Sequence, residues 1–228
     1  MNPTLKQRWD KLRRDLKPMT FRQKIDHLWT YYYWVLVIAA IIAVIISIVA
    51  TSVKNLNTDV LVAGVFINAD VSLDGREFLE DQYFEKLGGI PDKQEIQITN
   101  VVFEDPFTTQ EIEYTYNATL KVIAMLSAKT VDYMLMDELG MKYYLGQDVF
   151  LDLNELFPRE ELEKFKDDII YMTYEETGET IPVAINIRNT VFGQKYLNTD
   201  KTHYIGFAAN TPRPDACRLL WEYMKAGQ

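Results

Sequence analysis

Val60-Leu61-Val62-Ala63-Gly64-Val65-Phe66-Ile67 carries no charge and no polar alternation. A half-buried strand alternates apolar and polar side chains, whereas a strand covered on both faces reads as a continuous apolar run. The stretch therefore predicts a central, parallel strand in a layered α/β sheet. Downstream, Asp74 to Leu87 reads as a helix closed by Gly88-Gly89 and Pro91, and Ile96 to Phe103 as a second strand. A long helix from about Thr108 to Ala128 opens on the capping pair Thr108 and Glu111. Its spacing turns Ile112, Tyr116, Leu120, Ile123, Ala124 and Ser127 toward the core. Val131 to Met136 is a third strand. Strand, helix, strand, helix, strand is the order of right-handed crossovers and a doubly wound, mostly parallel sheet flanked by helices.

The back half adds a short helix at Leu139 to Leu145, the segment Val149 to Leu153, and an acidic helix from Pro158 to Asp168. A hairpin is expected from Ile169 to Tyr174, turning at Thr177-Gly178 into Ile181 to Ile187. His203 to Ala209 reads as a last strand and Pro214 to Lys225 as a last helix, with proline in its first turn. The lone cysteine, Cys217, shares an i, i+3, i+4, i+7 face with Leu220, Trp221 and Met224, which makes it a core residue rather than a nucleophile.

Upstream lies YYYWVLVIAAIIAVIISIVATSV, residues 31–53, without a charge. As a helix it would reach roughly 35 Å, enough for a hydrocarbon core of ~30 Å, and Trp29 and Trp34 with three tyrosines suit an interface belt. The expectation is a transmembrane helix at 31–53, a tether at 54–58 and an α/β domain at 59–228. Residues 1–54 hold nine Lys and Arg against three acids, so the positive-inside rule puts 1–30 in the cytoplasm and the domain outside the cell membrane. A cleaved signal peptide ending near Val49-Ala50-Thr51-Ser52 is the competing reading, and the long leader and apolar run favour an uncleaved anchor. Two short inner helices are expected, capped by Thr4 with Gln7 and by Thr20 with Gln23. The first carries Leu5, Trp9, Leu12 and Leu16 on one face, either to lie on an anionic leaflet or as plain topology-setting charge.

Beyond residue 54 the chain has 15 basic and 30 acidic residues, a balance that repels nucleic acid and also describes a well-hydrated surface. With one cysteine there is no internal disulfide.

Three stretches resemble bacterial extracellular solute-binding proteins, the receptors of ABC importers with a type II periplasmic-binding fold. They are Val131-Asp132-Tyr133-Met134-Leu135-Met136-Asp137 running through Leu145-Gly146 to Leu156, then Gly178 to Val183 with Ile181-Pro182-Val183, then Tyr204 to Thr211 followed by Pro214 to Trp221. The family has two lobes with ligand between them. Here only Ile187 to His203 separates the passages that should lead into and out of the second, so the resemblance implies a single lobe. The basic leader and the Trp-Thr-Tyr-Tyr-Tyr-Trp entry also resemble single-span proteins of Gram-positive bacteria.

Catalytic patterns are poor. The two histidines, His27 and His203, lie far apart in sequence, and no Gly-x-Ser-x-Gly, His-Glu-x-x-His or Ser-x-x-Lys occurs. No phosphate-binding glycine loop is present, since Gly88-Gly89 is a helix stop, so no cofactor and no metal are expected. In an open parallel sheet ligands meet the carboxyl ends of strands. That rule selects Asn68 and Asp70 after the first strand, Asp105 and Phe107 after the second, Asp137 and Glu138 after the third, and Asn210 after the last. The same residue types are favoured in loops and caps for backbone reasons alone, so both readings stand. The acids suit a basic partner better than an anion. The expected function is a non-enzymatic, membrane-anchored binding domain. Its partners would be the bilayer, a protein of a membrane complex, or more weakly a small solute, and not nucleic acid. An accessory or structural subunit of a transporter or export complex is the alternative.

Overall fold

Strand β1, Asp59–Ile67, is buried from Val62 to Ile67 and lies inside a six-stranded sheet of order β2-β1-β3-β6-β5-β4. The other strands are β2 Gln94–Val101, β3 Tyr133–Asp137, β4 Ile169–Thr173, β5 Thr180–Asn186 and β6 His203–Phe207. The computed structural model describes residues 13–14, 17–18, 20–56, 58–104, 112–174 and 177–226. The chain divides into two units, Met1–Asn57 and Thr58–Gln228.

The first unit contains helix α1, Phe21–Leu56. Thr20 precedes it, and the Gln23 carboxamide oxygen accepts the Thr20 N–H at 2.9 Å, the reciprocal half of the expected capping box. The apolar stretch 31–53 falls within α1, but among the described residues no helix is long and apolar enough to cross a membrane. This corrects the fold expected from the sequence, which included an N-terminal transmembrane helix. The helix expected around Leu5, Trp9, Leu12 and Leu16 lies outside the described residues.

A second correction concerns the sheet. Only β1 with β2 and β1 with β3 run parallel, whereas β3–β6, β6–β5 and β5–β4 are antiparallel. The sheet is mixed, parallel on one side of β3 and antiparallel on the other. Periodicity reports that a strand is covered on both faces but not its direction, and the long passage from β3 to β6 permits either.

Helices cover both faces. On one lie α2 (Leu73–Glu77), a π-turn at Phe78–Gln82, α3 (Tyr83–Lys86) and the C-terminal α9 (Pro214–Ala226). Their Phe78, Leu79, Tyr83, Leu220, Trp221 and Met224 pack with Val62 and Phe66 of β1. Cys217, Leu220, Trp221 and Met224 are all fully buried, the face that the C-terminal spacing predicts. Gly88 ends this first helical run at φ +71. Its N–H bonds Glu85 O and that of Gly89 bonds Phe84 O, the pattern of a left-handed helix stop.

The other face is covered by α4 (Ile112–Ser127) and α5 (Glu138–Tyr144). Here α4 is turned by one residue from the expected orientation. Thr115, Thr119, Val122 and Leu126 point inward, while Tyr116, Leu120 and Ile123 are exposed. Thr115 Oγ1 donates to Glu104 O and Thr119 Oγ1 to Thr115 O, so the two polar residues are satisfied where they are buried.

The remaining helices are α6 (Leu153–Leu156), α7 (Arg159–Leu162, continued by a 3₁₀ turn at Glu163–Phe165) and α8 (Val191–Tyr196). Among the described residues, 187–203 hold α8 and no second sheet.

Candidate binding surface

In this topology β3 is the strand to follow. Its carboxyl end, Asp137, pairs in register with His203, the first residue of antiparallel β6. The end of β1 lies alongside, so Asn68 and Asp70 belong to the same rim. A groove of about 450 Å³ opens there, lined by Asp137, Glu138, Leu139, Lys142, Asp200, Lys201 and Thr202.

The residues selected from the sequence divide. Asp137 serves α5 as its N-cap, with Oδ1 accepting the Gly140 N–H at 2.9 Å. Glu138 is exposed in the first turn of α5, and its charge helps burial to raise the Tyr204 phenol. Asp70 is exposed. Asn68 adopts φ 51 and clamps the chain after β2. Its Nδ2–H donates to Phe103 O at 2.9 Å, and its Oδ1 accepts Phe103 N–H at 2.8 Å. That is a brace rather than a contact for a ligand. Asn210 sits at the opposite end of the sheet because β6 runs backwards, and its Nδ2–H donates to Leu126 O at 2.9 Å. Asp105 and Phe107 lie outside the described residues.

Sequence reasoning did not select Lys142, on the helix that follows β3, or Asp200 and Lys201, which reach this rim only because β6 is antiparallel. His203, read only as a strand start, lies just beneath it, 3% exposed, with Nε2 lacking a hydrogen-bond partner. Burial pushes its imidazole below the usual histidine range and Lys201 adds to that, against the opposing pull of Asp137, a backbone hydrogen bond at Lys201, and Asp70.

At the other end of β3 sits a buried cluster centred on Asp132, which is fully enclosed. Its Oδ2 accepts the Ala63 N–H at 2.7 Å and pairs with the Arg213 guanidinium, and its Oδ1 accepts the Thr211 hydroxyl at 2.6 Å. Cys217 Sγ donates to the Asp132 carbonyl at 3.6 Å. Burial, and then the Asp132 charge, push that thiol up to about 12. The network pins β1, β3 and the start of α9 together. No isolated sequence signal separates this aspartate from the other acids; only its place directly ahead of β3 makes it a core residue.

Comparison with protein-family models, curated proteins and solved structures gives no match, so the resemblance to extracellular solute-binding proteins stays a likeness of local sequence.

Proposed function

We propose that the domain is a non-enzymatic binding module that engages a basic segment of a protein partner at the rim formed by the ends of β1 and β3 and the start of β6. The observation that carries this reading is the open groove, whose lining brings Asp137, Glu138 and Asp200 together with Lys142 and Lys201. Small-molecule sites are concave and mostly apolar, and they cover most of their ligand. Six of the seven residues lining this groove are charged or polar and it faces solvent, a better match for the charged periphery of a protein interface. A non-catalytic role is also supported by the placement of the reactive side chains. The histidine is buried beneath one end of β3 and the thiol is buried at the other, so the two cannot act as a pair.

Photo-crosslinking in cells from position 138 of the full chain tests the proposal. One predominant protein adduct is expected, lost when Asp70 and Asp200 are changed together to lysine. A calorimetric titration revealing nanomolar binding of a sugar, peptide or amino acid at this rim, with no protein adduct, would overturn it.

A further inference from the structure

His203 is the first residue of β6 and pairs in register with Asp137, the last residue of β3. Residues directly opposite on neighbouring strands turn their side chains to the same face of the sheet, so the imidazole and the Asp137 carboxylate share one side of it. The ring is buried and its Nε2 has no hydrogen-bond partner. Thr202, the residue before it, lines the groove of the rim together with Asp200 and Lys201. A group that can take up a proton therefore lies one residue from the surface assigned to the basic segment.

The charged groups that act on the imidazole come from three segments: Asp137 from β3, Asp70 from the turn after β1, and Lys201 from the turn that leads into β6. Other cations of the adjoining segments are turned elsewhere. Arg188, after β5, donates to Thr199 O at 3.4 Å, and Lys195 of α8 lies 4.9 Å from the centre of the Tyr196 ring. Asp70 is exposed and Asp137 lines the groove, so the same two carboxylates face a cation on the rim and a proton on His203. A neutral imidazole leaves both acids to the partner. An imidazolium sets a positive charge one strand spacing, about 5 Å, from Asp137, inside the Debye length of about 8 Å at physiological ionic strength.

We propose that His203 makes the rim a pH-dependent contact, which holds its basic partner while the imidazole is neutral and releases it when the imidazole takes up a proton. The inference rests on the reading of the rim as a binding surface and adds its regulation. Binding and protonation are linked, so the effect is reciprocal. A proton on His203 weakens the hold on the segment, and a bound segment resists the proton by the same factor. Burial, helped by Lys201, keeps the ring below the ordinary histidine range, so release begins below neutral pH. The partner is retained at neutral pH and shed in an acidified medium.

The test uses the full chain and an acetylated, amidated Lys-Gly alternating peptide of about eight residues, whose charge is constant from about pH 8 to pH 5. Across that range the affinity is expected to fall about fivefold or more in the parent protein and less than about twofold in His203→Asn. NMR of the parent protein gives a second readout that needs no variant. The chain has two histidines, His27 and His203. One ring signal is expected to titrate at lower pH when the peptide is bound, displaced by the factor that the affinities give, while the other stays in place. Absence of binding at about 1 mM peptide and pH 8 would overturn the reading of the rim and this inference with it. Binding at pH 8 with an equal fall in parent and variant, or two histidine signals that the peptide leaves unmoved, would overturn the pH dependence alone and leave the rim as a binding surface.

Discussion

The indole N–H of Trp221 donates to Oε1 of Glu161 at 3.0 Å, joining the fully buried ring on α9 to a carboxylate on α7. Lys225 Nζ reaches the same oxygen at 2.8 Å. Burial alone would raise this carboxyl. The hydrogen bond and charge of Lys225, with the bond from Trp221, outweigh it and hold the group below its ordinary 4.5. A depressed carboxylate contributes stability that is complete above its unfolded value and is lost as pH falls through the folded one. Glu161→Gln is therefore expected to lower the urea midpoint at neutral pH and to show a shallower loss from about pH 5 to pH 3, measured by fluorescence of the full chain.

Trp221→Ala removes the largest fully buried side chain and is expected to cost about 3–5 kcal/mol in chemical denaturation. Cys217 beside it should resist a membrane-impermeant thiol reagent at pH 8 in the native protein and react at once in denaturant, because its thiol stays protonated until about 12. Rapid labelling of the native chain would remove it from the core.

Arg213→Ala leaves the carboxylate of Asp132 enclosed without its cation. The expected loss is about 3–5 kcal/mol, the range for breaking one side of a buried pair. Removing both partners with Asp132→Asn and Arg213→Ala should cost less than the sum of the single changes, which a double-mutant cycle measures.

His203 is held neutral in the fold, so the unfolded chain takes up its proton first as pH falls. Stability from this group is complete above about 6.5 and declines below it, until the folded imidazole itself titrates. Denaturation midpoints from pH 8 to pH 5 should fall in the parent protein and fall less in His203→Asn. Equal slopes would place the titration elsewhere.

The orientation of α4 predicts a contrast between neighbours. Leu126→Ala, at 6% exposure, is expected to cost about 2–5 kcal/mol, whereas Leu120→Ser, at 45%, should lie within about 0.5 kcal/mol of the parent. The reverse order would restore the face that periodicity alone selects.

That helix shows what could and could not be read in advance. The double-sided burial of β1, the hairpin of β4 and β5 and the core face of α9 were legible because each follows a short-range pattern of apolar side chains. On α4 the rule failed because the chain buries Thr115 and Thr119, whose hydroxyls find backbone acceptors, and leaves the more apolar stripe at Tyr116, Leu120 and Ile123 outside. Strand direction leaves no local mark. The rule of strand ends therefore gathered Asp70, Asp137 and Glu138 on one rim but sent Asn210 to the opposite end, and it missed Lys201. The apolar run at 31–53 has the composition of a span, yet among the described residues no helix is long and apolar enough to cross a membrane.

The position of β6 bears on how the chain is made. Because β6 lies between β3 and β5, the sheet exists only as two pieces, β2-β1-β3 and β4-β5, until His203–Phe207 has emerged from the ribosome. Each piece then presents an unpaired inner strand to the cell, and a chain interrupted before residue 203 keeps both exposed. Assembly of the whole sheet therefore waits for β6, and nascent chains depend until then on whatever shields their open edges.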